Sequence, residues 1–88
     1  MKSLTGSYED RYGLGYRNLI EFLNKNSIFI NNYPKSQNVE MLYHHDSSTV
    51  LINRWRGGQS FEVTIFSDKE NKSKTILNKL DKIILSEK

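Results

Sequence analysis

Three groups of residues have the types and spacing to do chemistry or to grip another molecule. The stretch Asn53-Arg54-Trp55-Arg56-Gly57-Gly58 sets the single tryptophan of the chain between two arginines, directly before a glycine pair. Tryptophan stacks on bases, arginine grips phosphate, and paired glycines let a second backbone approach closely. Tryptophan and arginine are also the side chains most enriched at the hot spots of protein interfaces. His44-His45-Asp46 offers two imidazoles and a carboxylate, donor types that zinc accepts. Glu40 and Glu62 supply the elements of a carboxylate pair.

Whether these groups converge depends on the strands that carry them. Gly57-Gly58 predicts a two-residue hairpin loop of the primed type, since glycine takes positive φ freely at both positions. That loop pairs Arg54 with Phe61, Asn53 with Glu62 and Ile52 with Val63. A second turn at Asp46-Ser47 pairs His44 with Thr49, Tyr43 with Val50 and Leu42 with Leu51. Both turns then agree on one inner face made of Val39, Met41, Tyr43, Val50, Ile52, Phe61, Val63 and Ile65. Ser27 to Asn31 reads as a further strand, closed by the turn residues Asn32 to Ser36.

A helix is expected on each side of these strands. Tyr12, Tyr16, Leu19, Ile20 and Leu23 follow helical spacing behind a capping box at Ser7-Tyr8-Glu9-Asp10. Gly13 and Gly15 weaken its first turns by about 1 kcal/mol each relative to alanine. At the other end, Ser67-Asp68-Lys69-Glu70 forms a second capping box ahead of Ile76, Leu77, Leu80, Ile83 and Ile84. The expected fold is a single small α+β domain over residues 1–88. Its order is α-β-β-β-β-α, an antiparallel sheet with both helices on one face, and residues 1–6 and 86–88 are expected to fray. The α-β-β-β-α portion resembles double-stranded RNA-binding domains in element order. It lacks the Gly-rich stretch and basic helix start by which such domains hold phosphate, so no family is assigned.

Composition narrows the classes further. A chain of 88 residues supports one modest core, burying roughly 60–65% of its unfolded surface. The absence of cysteine removes disulfides and thiolate metal sites. Thirteen basic against ten acidic residues give a net charge of +3, far below that of a dedicated DNA-coating protein. There is no alanine, while Lys, Asn and Ile are abundant. That bias fits an AT-rich coding sequence, as found in AT-rich bacteria, phages and mobile elements. The stretch MKSLTGSYEDRYG has no apolar core of a secretory leader, and no apolar run reaches the roughly twenty residues of a membrane span. A cytoplasmic location without membrane association is therefore expected.

The predicted register argues against catalysis. His44 and Glu62 share the outer sheet face but lie two strands apart, at about 4.8 Å per strand, beyond the reach of an acid–base pair. Glu40 and Glu62 flank Asn53 on that exposed face and read as surface carboxylates. His44 and His45 point to opposite sides of their strand and read as two exposed histidines at a hairpin mouth, with no metal and no cofactor. The expectation is a non-catalytic binding protein, an inhibitor, adaptor or regulator acting through protein contacts, of the kind phages and mobile elements encode. Its partner-binding residues are Trp55, Arg54, Arg56, Leu42, Leu51 and His44. The alternative is a nucleic-acid-binding module that uses Arg54 and Arg56 with the helix lysines Lys72, Lys74, Lys79 and Lys82.

Overall fold

The turn at Asp46-Ser47 forms as the sequence predicts. Both residues take positive φ, 49° and 62°, the geometry of a two-residue primed turn whose twist matches the flanking strands. In the computed structural model, which describes residues 2–10, 13–35, 37–55 and 60–86, this hairpin joins β3 (Asn38–His45) to β4 (Ser48–Trp55). Its register pairs His44 with Thr49, Tyr43 with Val50 and Leu42 with Leu51. β5 (Ser60–Ser67) returns beside β4, with Arg54 opposite Phe61 and Ile52 opposite Val63, again as predicted. Arg56 and the Gly57-Gly58 loop lie outside the described residues.

The complete order is β1 (Lys2–Glu9), α1 (Leu14–Asn26), β2 (Ile28–Pro34), β3, β4, β5 and α2 (Glu70–Ile84). All neighbours are antiparallel and the sheet runs β1-β5-β4-β3-β2. The domain is α+β, as expected, with a strand added ahead of the first helix. Residues 2–6, expected to fray, are instead held along β5, with Leu4 opposite Ile65 and Gly6 opposite Val63. The added strand also departs from the element order of double-stranded RNA-binding domains. Of the C-terminal residues, Ser86 still donates its amide to the carbonyl of Ile83.

Both capping boxes give way to strand pairing. Ser7 stays in β1 opposite Glu62, and Asp10 caps α1 from below. Its two carboxylate oxygens accept the amides of Gly15 and Tyr16, each at 3.0 Å, satisfying donors that a helix start leaves orphaned. Ser67 likewise remains in β5 opposite Lys2, and its hydroxyl accepts the amide of Lys69. Gly15 has a different job. A Cβ there would stand 3.0 Å from the Ile84 carbonyl oxygen, so the bare glycine lets α1 cross close over the end of α2.

Leu19 and Leu23 from α1 and Ile76, Leu80 and Ile84 from α2 bury against Tyr43, Val50, Ile52, Phe61, Val63 and Ile65. Both helices thus cover the predicted inner face, and the outer face carries no layer among the described residues. Two buried serines, Ser48 and Ser73, are mismatched to their surroundings. Ser73 of α2 is buried and its hydroxyl has no hydrogen-bond partner among the described residues. An unsatisfied buried hydroxyl costs about 1–3 kcal/mol, and alanine is also the better helix former. Ser73→Ala should raise stability by about 1 kcal/mol, a gain of roughly 4–8 °C in melting temperature for a domain of this size. A fall in melting temperature would mean the hydroxyl is bonded after all.

Candidate functional site

With both helices on one side, the outer sheet face is the open surface of the molecule. Alternation along each strand builds it in cross-strand rows. One row runs Ser3, Phe66, Thr49, His44 and Ile28, and the next Thr5, Thr64, Leu51, Leu42 and Asn31. The third runs Ser7, Glu62, Asn53, Glu40 and Tyr33, and Trp55 opposite Asn38 begins the last. Leu42, Leu51 and Phe66 are half-buried by their neighbours, whereas Ile28 is 67% exposed, Tyr33 42% and Trp55 40%.

The predicted partner-binding residues therefore separate into two places. Leu42 and Leu51 face each other directly, with His44 exposed in the adjoining row. Trp55 stands four residues along β4 from Leu51, about 13 Å at strand rise, across the polar row of Glu62, Asn53 and Glu40. Asn38 donates to the side-chain oxygen of Asn53 within this boundary. Arg54 belongs to the opposite face. Its guanidinium lies 4.1 Å from the centre of the Tyr16 ring, where it closes the end of the core by a cation–π contact. Tyr16 is fixed in turn by donating its hydroxyl to the Met41 sulfur.

Two further apolar residues, Ile28 and Tyr33, are exposed on the face and carry no sequence signal that marks them. They sit on β2, whose register shifts between Phe29 and Asn31. This bulge at Ile30 breaks the alternation that would have placed them. The electrostatics of the face are also uneven. Glu9, Glu40 and Glu62 lie on it, and the ammonium of Lys35 is held 2.7 Å from the Glu40 carboxylate.

The helix lysines lie elsewhere. Lys79 approaches the Phe22 ring of α1 at 5.2 Å, and Lys72 comes within 3.9 Å of the Asp46 carboxylate. Lys82 lines a shallow groove of about 380 Å³ between the helices, with Asn18, Phe22, Lys25 and Ile83. Lys74 is exposed on α2. These cations spread around the helical layer and share no surface with Trp55. Arg54 and the lysines do not converge on one phosphate track.

His45, expected to be exposed, is buried at 8%. Its Nδ1 lies 2.7 Å from the Ser27 hydroxyl, and its ring packs on Phe22. His44 points to the other face, so the two imidazoles diverge as the strand period requires. Ser27 is the residue that ends α1, and the pair ties that helix end to β3. A nucleophilic serine also needs a base oriented by a third group, and no carboxylate is hydrogen-bonded to His45 among the described residues. No group of three or more His, Asp or Glu gathers for a metal ion among the described residues.

Comparison with known proteins gives no relative: no family model, no curated protein and no solved structure matches this chain at a significant level. No helix among the described residues is long and apolar enough to cross a membrane.

Among the described residues, the titrating group with the largest shift belongs to the inner face. Burial, a hydrogen bond to Asp81 and the negative charge of that carboxylate push the Tyr8 phenol up to about 12. Tyrosine in an unfolded chain titrates near pH 10, so the folded state holds this proton longer. The stability it contributes is complete below about pH 10 and is lost as the pH rises towards 12. Tyr8→Phe should flatten the alkaline limb of stability against pH and remove a step near pH 12 from a tyrosinate absorbance titration. Superimposable titrations of the two proteins would overturn that assignment.

Proposed function

We propose that this protein is a small, non-catalytic binding protein that acts on a protein partner through its open sheet face, as an inhibitor, adaptor or regulator. The observation that carries this reading is the division of the molecule into two unlike sides. Both helices cover the inner face, while Trp55, Tyr33 and Ile28 remain exposed on the outer one. Exposed aromatic and aliphatic side chains interspersed with charged ones have the composition of a protein interface. The carboxylates of Glu9 and Glu62 favour a partner whose own surface is apolar and basic. The same carboxylates would repel a phosphate chain laid across the sheet. This makes nucleic acid, through the lysines of α2, the second reading. A phage or mobile-element origin, suggested by small size and AT-rich composition, would suit a regulator of a larger host machine.

Capture of the partner from host extract, with and without nuclease, tests the reading against wild type and Trp55→Ala. A partner retained after nuclease and lost with Trp55→Ala is the expected result. Nuclease-sensitive capture that is indifferent to Trp55 would shift the assignment to nucleic acid. Its affinity would then fall steeply with salt.

A further inference from the structure

We infer that the free edge of β1 is a self-association edge, joining two copies of this chain into one continuous ten-stranded sheet. The inference stands apart from the partner-binding reading and concerns a different surface.

The two edges of the sheet differ in what their backbones offer. In a two-residue hairpin the residues flanking the turn form a hydrogen-bonded pair, here His45 and Ser48. Each strand residue directs its N–H and C=O to one side, alternating along the strand. The odd-numbered residues of β3 therefore bond β4, and the even-numbered ones bond β2. The amide of Lys35 donating to the Asn38 carbonyl agrees with this phase. Carried through the register across β4 and β5, it assigns Leu4, Gly6 and Tyr8 of β1 to the β5 ladder. The N–H and C=O groups of Ser3, Thr5, Ser7 and Glu9 then point away from the sheet.

On β2 the same phase directs Asn32 and Pro34 outward. Pro34 has no N–H to offer, and the Asn32 amide is already held by the Asn31 side-chain oxygen at 2.8 Å. A bulge interrupts the strand between Phe29 and Asn31. These are three of the devices by which edge strands are kept from pairing. β1 has none of them. It runs eight residues, Lys2–Glu9, with charged residues at its two ends alone and no register shift.

A second copy fits this edge in a way a foreign strand would not. Antiparallel pairing about a two-fold axis at Gly6 sets Thr5 opposite Ser7 and Ser3 opposite Glu9, which satisfies the outward groups. It also sets Leu4 opposite Tyr8 on the helix-bearing side, an aliphatic–aromatic cross-strand pair. The glycine on the axis is already covered, because a Cβ there would meet the Tyr8 hydroxyl at 2.8 Å. α2 lies over both β1 and β5. Strands about 4.8 Å apart then put the two copies of α2 about 10 Å apart, a normal helix-packing distance.

The flank of α2 that would meet its copy is the one carrying Asp81, since Asp81 reaches Tyr8 of β1. Helical periodicity places Leu77, Lys74 and Leu85 on that flank. Lys74 is exposed with no ion-pair partner among the described residues, and Leu85 is 63% exposed. α2 runs parallel to β1, so a two-fold axis near its middle brings Lys74 of one copy towards Asp81 of the other, twice.

Sedimentation of the full chain across a concentration series up to the millimolar range, with amide exchange followed by NMR, tests this. A monomer–dimer equilibrium is expected, with the amides of Ser3, Thr5 and Ser7 becoming protected as the dimer forms. Thr5→Pro removes an outward N–H that the β5 ladder does not use and should weaken the dimer at least about tenfold. Lys74→Glu, on an exposed helix flank that leaves folding alone, should weaken it about tenfold by setting like charges together. A chain that stays monomeric at the highest concentration overturns the proposal. So does a dimer that Lys74→Glu leaves unchanged and that does not protect the three amides.

Discussion

Phe61→Ala is expected to cost about 3–5 kcal/mol, the range for truncating a buried aromatic. Phe61 is 1% exposed and joins three elements at once. Its ring stacks on Tyr8 of β1 at 5.3 Å between centres and meets Tyr16 of α1 edge-on at 5.7 Å. Tyr16 in turn carries the Arg54 guanidinium. Alanine would leave a cavity bounded by two rings that are themselves only half-buried, so both would lose their backing. A domain of this length has a total stability of about 4–13 kcal/mol. The loss is therefore about a quarter or more of the total and should lower the melting temperature by roughly 15–30 °C. Chemical denaturation should report the same decrease, and amide exchange along β1 should accelerate most, because β1 has Phe61 as its main cross-strand anchor at that end. A change below about 1 kcal/mol would mean the aromatic cluster does not hold the fold.

Much of this cluster was legible in the sequence, and the part that was not has a physical cause. The inner face from Val39 to Ile65 followed from two turns whose chemistry fixes register, and a one-residue slip would have exposed all of it. The stripes on the two helices were equally clear, because Leu19, Leu23, Ile76, Leu80 and Ile84 repeat at helical spacing. β1 was hidden because its inner positions are Leu4, Gly6 and Tyr8. A glycine in the middle of a strand erases the apolar alternation, and only tertiary structure reveals that the Tyr8 side chain covers it. The Ser7–Asp10 sequence then competed as a helix start. Local capping chemistry was outweighed by the ladder that β5 offers, and Asp10 alone kept a capping role.

The candidate site was legible in its sides but not in its grouping. Alternation correctly separated Trp55 from Arg54, and His44 from His45. It could not foresee that Arg54 would settle on Tyr16, a residue 38 positions away in sequence. Nor could it foresee that Ser27 would draw His45 into the interior. Both are contacts between helix and sheet, set by how α1 lies across the strands. The exposed residues of β2 escaped for a related reason, since a bulge changes which side of the strand a residue occupies without leaving a mark in composition.

Trp55→Ala carries the largest expected effect on binding. Trp55 projects from the outer face, 40% exposed, opposite Asn38 at the end of β4. No helix lies over it, and its removal opens no enclosed cavity. The cost in stability should stay below about 1–2 kcal/mol, well under that of Phe61→Ala. Truncating a hot-spot tryptophan costs about 2 kcal/mol or more, which is a weakening of about thirtyfold in affinity. Its position at the margin of the face, about 13 Å from Leu51, gives the prediction a second part. If the partner spans the whole face, Leu51→Lys should weaken binding as well, by placing an unpaired charge between Leu42 and Thr64. If the partner engages only the end of the sheet, Trp55→Ala alone should abolish it while Leu51→Lys has little effect. Thermal melting and affinity measured on the same variants separate these cases from a purely structural tryptophan. That last reading requires Trp55→Ala to destabilise the domain as much as Phe61→Ala does, with affinity following stability.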